Sequence, residues 1–201
     1  MIEMLEIAPG LRYWTAPHPA WNGATGWPED VGCVYYEGPG ELVLIDPLVP
    51  RDEAEAFWRM LDGAVERLGL PVAVLLTAPW HSRSAVEVAD RYRTVVWTHD
   101  SDAGPLPTGV EEFVPGGAAE GQVALYLCAP RALVVAEIFM SVDGALRIFP
   151  SPASTPKEAA GFRTSLNALL QLSIDHVLVS HGEPVLNEGG RRIAEALGVN
   201  G

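Results

Sequence analysis

The feature that most limits how this chain can fold is the apolar, largely β-branched run Val72-Ala73-Val74-Leu75-Leu76, which leads into Thr77-Ala78-Pro79-Trp80-His81-Ser82-Arg83-Ser84-Ala85. The run reads as a buried strand, and the segment from about Ser84 to Tyr92 has helical spacing. Strand, short loop and helix together place the polar loop side chains at the carboxyl edge of a sheet. Layered folds put their chemistry there. The stretch from Leu75 to Ala85 is therefore expected to hold the functional centre.

The remaining residues suit one domain, 1–201, with a sizeable core. A formal net charge of −13 argues against nucleic-acid and anionic-membrane surfaces, because phosphate binding needs clustered Lys and Arg. Cys33 and Cys128 lie far apart without Cys-x-x-Cys spacing, so they are predicted to be buried thiols rather than a disulfide or structural zinc ligands. The start, Met1 to Glu6, lacks a basic region followed by an apolar core, and no apolar run approaches the ~20 residues of a membrane span. A cytoplasmic location is expected.

Along the chain, Ile2 to His18 predicts two short strands broken at Pro9-Gly10, followed by a Trp/Pro/Gly-rich loop from Pro17 to Asp30. Val31–Tyr36 and Glu41–Ile45 predict a hairpin around Glu37-Gly38-Pro39-Gly40. Asp52 with Glu55 predicts a capping box opening a helix that Gly69 ends. Ser84 with Glu87 predicts a second box. A strand at Thr94–Thr98 precedes a Gly/Pro/Asp-rich connection, Asp100 to Gly109. Three strands follow: Gln122–Cys128, Ala132–Phe139 and Ala145–Phe149, the last two joined at Asp143-Gly144. Thr155-Pro156-Lys157-Glu158 predicts a capped helix that carries Phe162, Leu166, Leu169 and Leu170 inward. A strand at His176–Ser180 and a helix at Asn187–Leu197 close the chain. This order suits an α+β, four-layer αββα sandwich, with a mixed three-layer α/β fold as the alternative that periodicity leaves open.

Five stretches, in order, resemble motifs of the metallo-β-lactamase superfamily. Leu42-Val43-Leu44-Ile45-Asp46 is similar to the early strand that ends in Asp beside the metal centre. The Thr77 loop resembles the His-x-His-x-Asp-His motif, whose ligand positions fall on Ala78, Trp80, Ser82 and Arg83. Phe113-Val114-Pro115-Gly116-Gly117 resembles a Pro-Gly-His motif, with Gly117 at the histidine. Leu133-Val134-Val135-Ala136-Glu137 resembles the strand ending in a metal-bridging Asp, and Glu137 stands there. Val177 to Pro184 resembles the terminal strand that ends in the last metal-binding histidine, His181. The resemblance implies the αββα fold and a hydrolase-like ancestry. It names no substrate, because this fold carries lactonases, thioester hydrolases, nucleases and oxidoreductase-like members.

A catalytic zinc needs about three protein ligands and an open position. Of the positions carried over, only Glu137 and His181 are ligand types. Arg83 brings a guanidinium that does not deprotonate, and its repulsion of a divalent ion at contact range costs on the order of a few kcal/mol at moderate dielectric. No cofactor is therefore expected; the alternative is one weakly bound divalent metal, zinc or similar, at His81, Glu137 and His181. Arg83 is expected to pair with Glu137 or Asp46 in place of zinc. His81 is expected to bond neighbouring backbone, with an inward ligand position or an acid–base role as alternatives. His18, His99 and His176 are expected to have no role. The candidate residues are Asp46, Trp80, His81, Arg83, Glu137 and His181. The preferred function is a non-zinc, ligand-binding or non-catalytic member, with Trp80, Trp21 and Trp27 lining a pocket where Arg83 favours a small anionic molecule. The alternative is a hydrolase of lactone, thioester or ester bonds.

Overall fold

Side chains alternate along a strand, and here that alternation sorts the apolar residues into layers. The computed structural model describes residues 4–24, 26–149 and 155–199; the predicted strand start at Ile2 and Glu3 lies outside them. The first sheet holds β1 (Leu5–Ala8), β2 (Leu11–Pro17), β3 (Asp30–Glu37), β4 (Leu42–Ile45), β5 (Val72–Leu75) and β6 (Val96–Trp97), in chain order. Its first four strands are antiparallel, and β4, β5 and β6 run parallel. β7 (Val110–Phe113), β8 (Ala124–Leu127) and β9 (Ala132–Val135) begin the second sheet. A separate hairpin, β10 (Phe139–Val142) and β11 (Ala145–Ile148), interrupts it before β12 (His176–Val179) returns parallel to β9. The helices are α1 (Ala54–Leu68), α2 (Ala85–Tyr92), α3 (Pro156–Ser165) and α4 (Gly189–Leu197).

Strand β4 displays the layering most directly, because all four of its residues are buried. Leu42 and Leu44 pack with Phe57 and Leu61 of α1 and Val88 of α2. Val43 and Ile45 face the opposite way and meet Leu125 and Val134 of the second sheet. On that sheet's far side, Leu133 and Val135 pack with Leu166, Leu169 and Ile193. The order is helix, sheet, sheet, helix. That is the predicted αββα sandwich, with both sheets covered on both faces, as buried parallel pairs require.

Of the three predicted capping boxes, one forms. The Thr155 box forms in full: the Thr155 hydroxyl accepts from Glu158 N at 3.3 Å while Thr155 N donates to Glu158 Oε2 at 2.7 Å. The box predicted from Asp52 does not form; Arg51–Glu53 is a short 3-10 turn, and α1 starts at Ala54 with Glu53 in the capping position. Ser84 makes no cap either, since its hydroxyl accepts from Val49 N at 3.0 Å. The strand predicted over Ala132–Phe139 stops at Val135, and the chain bends before β10. That bend turns Glu137 off the sheet. Strand β7 was missed because Glu111 and Glu112 spoil its apolar pattern, as befits an edge strand. Cys33 is buried as predicted, whereas Cys128 is only half-buried; both are free thiols. Among the described residues, no helix is long and apolar enough to cross a membrane.

Parallel pairing positions the site. Because β4 runs with β5 and β9 with β12, the residues just past their ends emerge at one edge: Asp46, Thr77, Glu137 and His181. The sheets are stitched together there. Gly32 N donates to Ser180 O at 2.9 Å, Val31 bridges His181, and the Tyr13 hydroxyl donates to Val179 O at 3.0 Å. A Cβ on Gly32 would lie 2.2 Å from the Tyr13 hydroxyl oxygen and 2.3 Å from Val179 O, so only glycine permits this approach.

Candidate functional site

Asp46 is the buried floor of the site. Its carboxylate accepts from Thr77 N at 2.9 Å, from the Thr77 hydroxyl, and from His81 Nδ1 at 2.9 Å. Burial works to raise its pKa, but His81, the Arg83 guanidinium and Thr77 outweigh it and hold the carboxyl below its usual range. His81 lies in the 3-10 turn Pro79–His81, which sends neighbouring side chains in different directions. Trp80 is 44% exposed and His81 only 4%. With Nδ1 held by Asp46, the other ring nitrogen of His81 faces Glu137: Nε2 lies 3.9 Å from Oε1. Burial opposes charge on this ring, yet Asp46 and Glu137 prevail and raise its pKa.

Glu137 completes the cluster from the second sheet. Its Oε1 lies 3.6 Å from His181 Nε2, in ion-pair range but beyond hydrogen-bond length. Burial works to raise the Glu137 carboxyl, and the His181 and His81 imidazoles bring it down to about 2. The His181 ring lies tilted against both Trp27 (centroids 5.1 Å apart, 34°) and Phe149 (5.6 Å, 32°). It is buried, and neither ring nitrogen has a hydrogen-bond partner among the described residues.

Arg83 contradicts expectation. Its Nη1 donates to two backbone carbonyls, Gly32 O at 2.7 Å and Asp46 O at 2.9 Å, rather than to the Asp46 or Glu137 carboxylate. The carboxylates already have their partner in His81, so the guanidinium is left to brace the backbone. The brace spans two non-glycine residues in the left-handed region, Asp46 at φ 50° and Arg83 at φ 34°. Each such residue costs on the order of 1–3 kcal/mol and persists where surroundings enforce it.

His81, Arg83, Glu137 and His181 line a cavity of about 210 Å³, walled on its other sides by His18, Trp27, Val31 and Trp80. Five of the six candidate residues thus border it, with Asp46 beneath. The expectation that His81 bonds backbone is corrected, because its ring reaches a residue 35 positions earlier in the chain. His18, expected to have no role, packs edge-on against Trp27 at 5.3 Å and lines the cavity. Trp21 does not line it; its Nε1 donates to Trp27 O at 2.9 Å and supports that wall from behind. His99 stays outside, paired with Glu112 at 2.8 Å. Reasoning from sequence missed His18, Val31 and Phe149, which carry no local signal. Thr77 could have been found, since a Thr at the strand end faces whatever follows β4.

A zinc ion is a poor match for these side chains. The resemblance assigns ligands to Ala78, Trp80, Ser82 and Gly117, none of which has a suitable donor, and Gly117 packs against α3 at Phe162. His81 commits Nδ1 to Asp46, and a guanidinium shares the cavity. Among the described residues, no group of three or more His, Cys, Asp or Glu side chains is arranged to hold a metal ion.

No protein-family model matches the chain, and no curated protein sequence matches it. Solved structures do. VMB-1 superposes with a TM-score of 0.65 at 10% identity, over 98% of this chain and 95% of its own. The DIM-1 metallo-beta-lactamase exposed to ceftazidime gives 0.68 at 14%, over 98% and 96%. A beta-lactamase domain protein from Burkholderia ambifaria gives 0.58 at 19%, over 96% and 75%. Likeness at these identities speaks to architecture: the chain has the metallo-β-lactamase fold.

Proposed function

We propose that this metallo-β-lactamase-fold chain binds a small molecule in its strand-edge cavity and keeps no resident zinc there. One observation carries the reading: His81, held by Asp46 at 2.9 Å and facing Glu137 at 3.9 Å, places a protonatable ring between the two carboxylates. By the resemblance, those carboxylates would otherwise face metal. Without a metal, no metal-bound hydroxide forms in this pocket, and among the described residues no serine or cysteine nucleophile lines it. What remains suits recognition: the aromatic faces of Trp27 and Trp80, a carboxylate, two imidazoles and an arginine.

The test is elemental analysis of protein purified without chelator, paired with thermal unfolding and tryptophan-quenching titrations against small anions. The expected result is far less than one equivalent of zinc, iron or manganese, a melting temperature indifferent to EDTA, and saturable quenching. Near-stoichiometric metal that is lost in His81→Asn, or ester hydrolysis abolished by EDTA, would instead support the single-metal hydrolase at His81, Glu137 and His181.

A further inference from the structure

The ring of His181 is 3% exposed, yet neither of its nitrogens has a hydrogen-bond partner among the described residues. An unmet polar group at such depth destabilises the fold until something bonds it. The wall position of this ring gives a ligand the means to satisfy it. His181 Nε2 and Glu137 Oε1 stand 3.6 Å apart, too far to bond each other. An oxygen atom placed beside both can lie within the roughly 2.8 Å of a good hydrogen bond to each.

The two neighbours dictate what that oxygen must be. An ionised carboxylate only accepts, so the newcomer donates to Glu137; with its one proton spent there, it accepts from His181 in the tautomer that carries the ring proton on Nε2. A hydroxyl does both. A ligand carboxylate there would meet the Glu137 charge head-on. The same cavity offers Arg83, a fixed cation that favours an anionic group elsewhere on the ligand. Size narrows the class further: about 210 Å³ accommodates about seven water-sized groups at ~30 Å³ each.

We infer that the cavity takes a small hydroxy acid, its hydroxyl seated between His181 and Glu137 and its carboxylate turned toward Arg83. This rests on the ligand-binding reading above and gives that ligand a class. His181 is the residue that reads the hydroxyl, and Trp27 and Phe149 hold its ring in place.

The experiment is calorimetric titration of the intact chain with glycolate, lactate and 3-hydroxybutyrate, each against its counterpart without the hydroxyl: acetate, propionate and butyrate. At least one hydroxy acid is expected to bind tenfold or more tightly than its counterpart. His181→Phe preserves an aromatic ring against Trp27 and Phe149 and removes both nitrogens, and it should shrink that preference to within twofold. If that variant does not fold, Glu137→Gln supplies the same comparison. Equal binding of paired acids, or a preference that survives the substitution, overturns the inference while leaving the cavity reading intact. If neither these acids nor any other small anion binds, both fall together.

Discussion

Replacing His81 with leucine should destabilise the folded chain by about 3 kcal/mol near pH 6. Breaking a buried ion pair by removing one member costs about 3–5 kcal/mol, because the survivor is left buried and uncompensated. Asp46, only 2% exposed, would retain Thr77 N and the Thr77 hydroxyl, and leucine would add apolar burial, so the lower end of that range applies. At roughly 2–4 °C per kcal/mol for a chain of this size, the melting temperature should fall by about 6–12 °C. The assay is urea unfolding followed by tryptophan fluorescence for wild type, His81→Leu, Asp46→Asn and the double variant. The pair should show a coupling of about 2 kcal/mol, within the range for residues in direct contact. The pH dependence has a definite sign. The His81 pKa is raised above 6.5 on folding, so its contribution is whole below pH 6.5 and is lost as pH climbs through the raised value. The Asp46 pKa is lowered below 3.8, so its contribution is whole above pH 3.8 and is lost as pH falls through the lowered value. Full coupling is therefore expected between those limits. A stability loss below about 0.5 kcal/mol, the ordinary surface effect, or a coupling indistinguishable from zero, refutes the reasoning.

Arg83→Met should cost about 2–3 kcal/mol in the same unfolding assay, since hydrogen bonds from a charged donor are worth about 1.5–3 kcal/mol and two carbonyls lose theirs. Arg83→Lys should restore less than half of that, because an ammonium cannot reproduce the planar fork. Gly182→Ala should yield little folded protein on a thermal melt: Gly182 has φ +89°, and its added Cβ would lie 2.1 Å from the Ser141 carbonyl oxygen. Thr155→Ala should cost about 1 kcal/mol, read by chemical unfolding, because it dismantles a complete capping box.

What the amino-acid order made legible was what depends on near neighbours. Continuous apolar runs marked β4 and β9 as buried strands, and the Thr155 box needs residues only three apart. The Ser84 box failed for a reason no local rule contains: Val49 N, 35 residues earlier, claims the hydroxyl. His81 turned inward because Asp46 offered an acceptor across the sheet, and Arg83 yielded the carboxylates because His81 already held them. His18 joined the cavity through Trp27, a contact between two loop residues. In each case the competing partner came from tertiary pairing of strands, and this pairing is what brings the ends of β4, β5, β9 and β12 to one rim.

The two sheets divide the chain at its middle: β1 to β6 come from residues before 98, β7 to β9 and β12 from residues after 109. Trp27, His81 and Arg83 belong to the earlier half, Glu137 and His181 to the later one. Neither half owns a complete pocket. An occupant of the kind proposed would touch both segments at once and, by mass action, hold them together as a clasp across the seam.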